Sequence, residues 1–386
     1  MEKTDVLVVG AGPAGSSAAK KVAEAGFAVQ IFEEHPIVGL PLACGEGISQ
    51  AMFDRFPWAP KEGYPIEIQY WNFVGDYSAH SQISVLSINR PDFDRSLSDI
   101  AQDEGALLHT NAPVKTLVKT SYGIEATTSN GIKTLAKIVI AADGPSSRMM
   151  RQMKLPPPEE IIQGVEYRVK GLEVEGFQFY FDFSITPHGY GWVFEKGERT
   201  ANVGICLCGG MNPRERLDQF MKMRNIKGKI DQLIAGIIPS GGPVPHCYTD
   251  NFLVTGDAGG FTNPIVFGGI GIAMLTGILA GETAVEALEE ENYSAWKLAQ
   301  YEQKVHALPI ASRDLLETHK LLYHHFNNSD LTRLGVLVNK RDITRLSSSD
   351  KLNLLWRSLR HPKTWSRLAA FFQLIKGFRI SRDWGF

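Results

Sequence analysis

Thr4-Asp5-Val6-Leu7-Val8-Val9-Gly10-Ala11-Gly12-Pro13-Ala14-Gly15 sets the architecture of this 386-residue chain. The run from Thr4 to Val9 reads as a buried strand. An alanine-rich stretch to about Ala25 reads as a helix that Gly26 closes. Phe27 to Phe32 is a second strand, and Glu33 stands at its end. Strand, glycine turn, helix, strand and acid in this order make a dinucleotide-binding βαβ unit of Rossmann type. Gly10 permits the tight turn, Gly12 lets the backbone approach a pyrophosphate, and Gly15 lets helix and strand pack closely. Ala14 lies in the same turn, and the helix N-terminus offers N–H groups and positive potential to the phosphates. Glu33 is placed to accept hydrogen bonds from a ribose.

Beyond this unit, residues 34–60 read as loop and short helix, and residues 64–88 alternate as strands outside the nucleotide-binding sheet. Arg90-Pro91-Asp92 opens a helix to about Glu104, with proline near its first turn. Lys137 to Ala142 is another buried strand, ending at Asp143-Gly144. From about 160 to 210 the pattern has period two: Phe177, Phe179, Phe181 and Phe183 alternate, as do Tyr190, Trp192 and Phe194. Antiparallel strands with an aromatic face follow from that pattern. Residues 212–235 read as helical, Asn251 to Thr255 as a short strand, and everything after 291 as helical and increasingly basic.

The expected fold class is therefore α/β, with a Rossmann-type domain assembled from residues 1–60, 90–150 and 246–290. An antiparallel-sheet substrate domain, residues 61–89 and 151–245, is inserted into it, and a helical region covers 291–386. The uncharged stretch Ala258–Gly281 approaches transmembrane length, but Asn263-Pro264 and four glycines interrupt it. A glycine-rich loop feeding a buried helix is the expectation.

Composition narrows the function classes. A net charge of −2 argues against nucleic acid as the main partner, which would need a concentrated basic surface. Cys44, Cys206, Cys208 and Cys247 form neither a disulfide framework nor a C-x-x-C pair, so no metal site is expected. The apolar run at the N-terminus is too short for a signal peptide, and a cytoplasmic location follows as the default.

Two further motifs carry a resemblance: Ala142-Asp143-Gly144 and Gly256-Asp257-Ala258, each at a strand end. With them the sequence resembles the large flavoprotein family that includes aromatic hydroxylases and geranylgeranyl reductases. The resemblance implies FAD rather than NAD as resident cofactor. It gives Asp257 the ribityl chain, and Arg95, in Phe93-Asp94-Arg95-x-Leu97, a place near the phosphates; Asp143 joins the cofactor-binding set. Gly268-Gly269-Ile270 would aim a helix N-terminus at the pyrimidine edge of the flavin, where its positive end favours the anionic reduced ring. Pro41-Leu42-Ala43-Cys44-Gly45-Glu46-Gly47 resembles the P-x-x-C-G segment of geranylgeranyl reductases, which places Ala43, Cys44 and Gly45 beside the isoalloxazine. Tyr190-Gly191-Trp192-Val193-Phe194-Glu195-Lys196 resembles their Y-x-W-x-F-P-K signature, with Glu195 in place of proline. That departure leaves the turn after the strand open.

The resemblance implies reduction of isolated C=C bonds in the isoprenoid chains of a lipid. Tyr190, Trp192 and Phe194 are expected to contact the substrate. Tyr190 and Trp192 would stabilise developing positive charge, and Cys44 or a bound water would supply the proton. A flavin monooxygenase is the alternative; a redox-neutral flavoprotein cyclase and a non-catalytic flavin-bearing protein remain further options. The W-x-W-x-I-P segment of flavin halogenases does not occur. No second G-x-G-x-x-G marks an NAD(P)H domain, so the external electron donor is ferredoxin, another flavoprotein or transient NAD(P)H. From Lys351 to Phe386 eight Lys or Arg stand against one acid, Asp383, with Trp356, Trp365, Phe371, Phe372, Phe378 and Trp384 among them. This segment suits either a peripheral contact with the inner face of the cell membrane or a helical cap over the flavin domain.

Overall fold

The computed structural model describes residues 1–342, 368–382 and 384. Strand β1 (Glu2–Val9), buried from Val6 onward, runs through the glycine turn into α1 (Pro13–Glu24) and back to β2 (Val29–Phe32). A short β3 (Gly47–Ser49) and one-turn α2 (Gln50–Phe53) precede the long hairpin β4 (Tyr64–Phe73) and β5 (Tyr77–Ser87). Next come α3 (Arg90–Asp103), β6 (Leu107–His109), β7 (Val114–Thr120), β8 (Gly123–Thr128) and β9 (Lys133–Ala141). Short α4 (Arg148–Gln152) leads to β10 (Ile161–Lys170), β11 (Phe177–Phe181), β12 (Gly191–Glu195) and β13 (Thr200–Leu207). Then follow α5 (Pro213–Met223), β14 (Lys229–Pro239), β15 (Tyr248–Thr249) and β16 (Phe252–Val254). The rest is helical: α6 (Ile270–Glu289), α7 (Ala295–His306), α8 (Arg313–His319), a π-helical turn Lys320–His325, α9 (Asn328–Val338) and α10 (Leu368–Arg382).

These strands form two sheets. The first has the order β15-β16-β9-β1-β2-β6, parallel from β16 to β6, with β8 added antiparallel to β9 and β7 antiparallel to β8. Val6 sits between Val29 and Ile138, so the glycine turn opens at the carboxyl edge of a sheet buried on both faces. The second sheet has the order β14-β10-β13-β12-β11-β4-β5-β3, antiparallel except where β11 meets β4. Its β3 comes from residues 47–49, within the run of sequence that otherwise serves the first sheet. One face of this sheet carries the aromatic stripe, and the other packs Val165, Tyr167 and Val203 against Leu217 and Phe220 of α5.

The segment 212–235 departs from its expected helix. Helix α5 stops after Met223, and β14 pairs antiparallel with β10, Ile162 opposite Ile238. The run from Ile234 to Ile238 is short and apolar, a pattern that periodicity alone does not assign. The open edge of β10 selects the strand.

Helix α6 is the one helix among the described residues long and apolar enough to span a membrane, yet 67% of that stretch is buried inside the protein. It lies against α1 along a seam of small residues. A Cβ on Gly277 would stand 2.1 Å from the Ala14 carbonyl oxygen, and one on Gly281 would stand 2.7 Å from that of Ala18. The glycines that interrupt the apolar run are thus the contact that seats the helix.

Gly277→Ala therefore tests the seam. It should cost about 1–3 kcal/mol by overpacking and lower the bound flavin, measured by urea unfolding and by the flavin-to-protein absorbance ratio. Unchanged values for both would mean that α1 and α6 are not this close.

Candidate active site

The glycine turn presents an open cradle. Gly10 has φ +101°, and a Cβ there would lie 2.4 Å from the Ala142 carbonyl oxygen, so only glycine fits. A Cβ on Gly15 would meet the Gly10 oxygen at 1.9 Å, whereas the corresponding position at Gly12 faces open space. Gly12 is the N-cap of α1 and supplies no side-chain cap, so the first N–H groups of the helix stay available to an anion. Ala14 packs beneath, under Gly256 and Gly277. Glu33 is buried; its Oε2 accepts from the Ala11 N–H at 2.9 Å and its Oε1 from the His35 N–H at 2.9 Å. Its remaining lone pairs can take a ribose hydroxyl. Arg95 lies on the exposed side of α3, paired with Asp92 at 3.4 Å.

A second uncapped helix starts nearby. Gly269 caps α6 without a side-chain bond, leaving the amides from Ile270 onward free. Asp257 stands just before it: a Cβ on Gly269 would be 3.2 Å from Asp257 Oδ1. Burial pushes the Asp257 carboxyl up to about 6, against the pull of the Arg90 guanidinium. A hydroxyl-rich chain or a flavin edge is the kind of group these donors and acceptors suit, so the cradle fits FAD. Asp143, by contrast, spends its carboxylate on the chain itself. It accepts from Ser147 Oγ (2.6 Å), Arg148 N (2.8 Å) and Met149 N (3.1 Å), and so caps α4.

The loop Pro41–Gly47 bridges this cradle and the second sheet. Ala43 packs on Gly236, and the Cα of Gly45 faces the Phe194 ring and Trp192 Nε1. The thiol of Cys44 accepts the Glu46 N–H at 3.2 Å. Burial raises the thiol pKa, and Arg90 opposes it. Arg90 is itself held by Asp94 through two bonds of 2.9 Å.

Glu46 locks the loop in place. Its side chain is fully buried and accepts from Arg168, from Lys196 at 2.7 Å and from Asn202 at 2.9 Å, while its other oxygen takes the Arg90 N–H at 3.1 Å. Burial alone would raise this carboxyl, but Lys196 and then Arg168 outweigh it and hold it below its ordinary value. Glu166, one sheet row away, lies in the opposite state. Burial and then the neighbouring Glu46 push it up to about 8, so it is neutral at pH 7. Its Oε2 accepts from Trp192 Nε1 at 2.9 Å, and its Oε1 is buried without a partner.

The aromatic stripe continues from there. Tyr190 donates to the Val266 carbonyl at 2.5 Å, and burial drives its hydroxyl pKa far up. Phe194 stacks on Phe177 at 4.2 Å, and Trp71 stacks on Phe179 at 4.7 Å. Beyond Trp71 opens a cavity of about 600 Å³ between β4, β5, α9 and α10. Trp71, Phe73, Val266, Leu334 and Phe378 line it together with Lys376, Arg379 and Arg382 of α10, and Lys376 is paired with Asp314 at 2.7 Å. The described part of the C-terminal segment is thus a cap: Phe371 and Leu374 of α10 are buried, and Phe372 is exposed. Trp356, Trp365 and most of the basic run before α10 lie outside the described residues.

Glu195, where the resembling signature has proline, accepts the Gly176 N–H at 2.8 Å, and the turn closes through Lys196 N to Thr200 O at 2.9 Å. Sequence reading passed over Glu46, Arg90, Glu166, Arg168 and Lys196. The available signal was the pair Glu166 and Arg168, charged residues on one face of a strand whose neighbours are apolar.

Comparisons with known proteins identify the family and the fold. Residues 3–173 match the FAD binding domain model, and residues 160–238 match the geranylgeranyl reductase catalytic domain model. The digeranylgeranylglycerophospholipid reductase 1 of Methanopyrus kandleri is 35% identical over 78% of this chain and 85% of that protein. The digeranylgeranylglycerophospholipid reductase of Methanospirillum hungatei is 30% identical over 91% of this chain and 92% of that one. A crystal structure of a geranylgeranyl bacteriochlorophyll reductase-like protein from Thermoplasma acidophilum superposes with TM-score 0.84 at 27% identity, covering 96% of this chain and all of that one.

The two buried carboxyls should leave opposite marks on stability. The Glu46 carboxylate contributes stability that is present above its unfolded pKa and lost as pH falls through its lower folded value. Glu46→Gln should cost about 3–5 kcal/mol at pH 7, because two cations lose their partner. Glu166 is raised, so the fold takes up a proton and stability declines as pH climbs from 4.5 toward about 8. Glu166→Gln should flatten that decline in urea midpoints taken across the range. A variant that keeps the wild-type slope would show that Glu166 is ionised in the fold.

Proposed function

Because the chain belongs to the family of digeranylgeranylglycerophospholipid reductases, we propose that this FAD-dependent oxidoreductase reduces isolated C=C bonds in the isoprenoid chains of a lipid. The observation that carries the reading is the position of the Cys44 loop, clamped between the dinucleotide cradle and an aromatic sheet face that leads to an apolar cavity. The N-terminus of α1 with Gly10, Gly12, Ala14 and Gly15 would hold the pyrophosphate, with Arg95 beside it and Glu33 on the ribose. Asp257 would hold the ribityl chain, and Gly268, Gly269 and Ile270 the pyrimidine edge. Ala43, Cys44 and Gly45 would flank the ring. Reduced FAD supplies the hydride.

The chain must then hold an alkene still, exclude water and deliver a proton. The walls of the cavity suit a hydrocarbon, and burying one there is favourable because it removes apolar surface from water. Tyr190 and Trp192 commit their polar hydrogens to Val266 and Glu166; neither lines the cavity itself, and only their ring surfaces would be open to a substrate that reaches along the aromatic stripe. Such surfaces stabilise positive charge developing on a tertiary carbon. Cys44, kept as a thiol by burial, gives its proton to the carbon that does not receive hydride. The resulting thiolate faces Arg90 and regains a proton from solvent. Glu166 stays neutral and fixes the Trp192 ring.

Arg379, exposed on α10 among the residues lining the cavity, suits an anionic headgroup held there while the chain lies inside. This arrangement supports a cytoplasmic enzyme working against the inner face of the membrane, with electrons from ferredoxin, another flavoprotein or NAD(P)H.

Anaerobic reduction with dithionite in the presence of an unsaturated isoprenoid lipid tests the reading by mass spectrometry. Product masses should rise in steps of two hydrogens. Cys44→Ser should slow turnover by about 10²–10⁴-fold with flavin still bound, while Glu166→Gln should retain most activity. The reverse ranking would make the carboxyl the acid. A product one oxygen heavier after admission of air would replace the reductase with a monooxygenase.

A further inference from the structure

The cap carries a cluster that the reductase chemistry does not use. Glu160, just before β10, meets His319 at the end of α8 and His324 in the π-helical turn. Glu160 Oε2 lies 2.9 Å from His319 Nε2 and 3.1 Å from His324 Nε2, and the three ligand atoms all fall within 4.8 Å of one another. We propose that Glu160, His319 and His324 bind a divalent transition-metal ion of the zinc class.

The hydrogen bonding of His319 supports the assignment. This side chain is buried, and its Nδ1 lies 2.6 Å from the Pro264 carbonyl oxygen, which can only accept. Nδ1 is therefore committed to Pro264, which leaves Nε2 as the ring atom that faces the Glu160 carboxylate at 2.9 Å, and a metal ion lodged between them would take both as ligands. A histidine whose other nitrogen donates to a backbone carbonyl is also the usual form of a metal-bound imidazole.

Backbone geometry adds an independent argument. His319 and His324 are five residues apart, a spacing that an α-helix places about 140° apart around its axis. The π-helical turn Lys320–His325 widens the coil and brings both Nε2 atoms to one carboxylate. Such turns are rare and concentrate at functional sites. Tetrahedral zinc at ordinary bond lengths holds its ligand atoms about 3.4 Å apart, so the two contacts to Glu160, at 2.9 and 3.1 Å, need lengthen only slightly to admit the ion. Two imidazoles and a carboxylate leave a position for water, and imidazole selects zinc, cobalt or nickel over magnesium or calcium.

The ion would join three parts of the protein: the start of the aromatic sheet, the α8 turn, and the Pro264 loop that leads into flavin-facing α6. Binding to the folded state alone raises stability with metal concentration.

The test uses the tag-free, flavin-loaded full chain, stripped with a chelator and titrated with Co²⁺. One Co²⁺ per chain, with visible ligand-field bands and a rise in Tm, is the expected result. Glu160→Gln and His324→Ala should each weaken Co²⁺ binding at least tenfold while the flavin spectrum is unchanged. His324 is exposed, so its replacement leaves the core intact. No bound Co²⁺ in the wild type, or wild-type binding in both variants, would overturn the site and leave a proton-held ion pair. Binding is read without turnover, so failure here leaves the reductase reading untouched.

Discussion

A single buried carboxylate joins the two halves of this protein. Glu46 accepts from the Arg90 backbone, Arg168, Lys196 and Asn202, and these donors come from α3 and from three strands or strand ends of the second sheet. Its backbone sits at φ +66°, a region that a side chain with a Cβ avoids. Local strain of order 1–3 kcal/mol persists there because both carboxylate oxygens are held by donors from distant segments. Satisfied networks in a low dielectric hold one geometry firmly, and half-satisfied ones are costly. The Cys44 loop can therefore neither drift toward the cradle nor toward the sheet.

The same network sets its neighbour. Burial, and after it the Glu46 carboxylate, makes a charge at Glu166 unfavourable, so the second acid stays protonated beside Trp192. Paired titratable groups pushed in opposite directions are a common mark of active sites. Here the pair frames the loop that carries Cys44. The halogenases that share this architecture, at TM-scores near 0.7 and 14–16% identity, show the fold alone. Function is decided by what lines the space between cradle and sheet.

Local patterns made much of this legible in the sequence. The βαβ unit announces itself because its glycines, helix and acid fall within one short stretch, and the aromatic stripe does so because strands alternate with period two. What stayed hidden depends on contacts between distant segments. Glu166, Gly204 and Trp192 form one row only when β10, β13 and β12 lie side by side. β14 became a strand because β10 had an edge to fill. Asp143 also caps the short α4 through Ser147, Arg148 and Met149, a contact its place at a strand end does not announce. His319 and His324 match no α-helical spacing, so only the π-helical turn reveals them together.

Helix α10 shows how the cap and the substrate constrain each other. Its inner side, Phe371 and Leu374, is core, and Gly377 lies so close to Thr318 that a Cβ would stand 2.2 Å from the hydroxyl oxygen. A helix seated this tightly does not swing aside as a unit. On the proposed reading, the lipid enters along α10, where Arg379 offers charge to the headgroup while the chain slides past Phe378 and Trp71. The Cys44 loop is equally fixed by Glu46. On that reading a chain with several double bonds presents them by moving through a rigid site, each alkene brought in turn to the same proton donor, reprotonated between rounds, and the same flavin face.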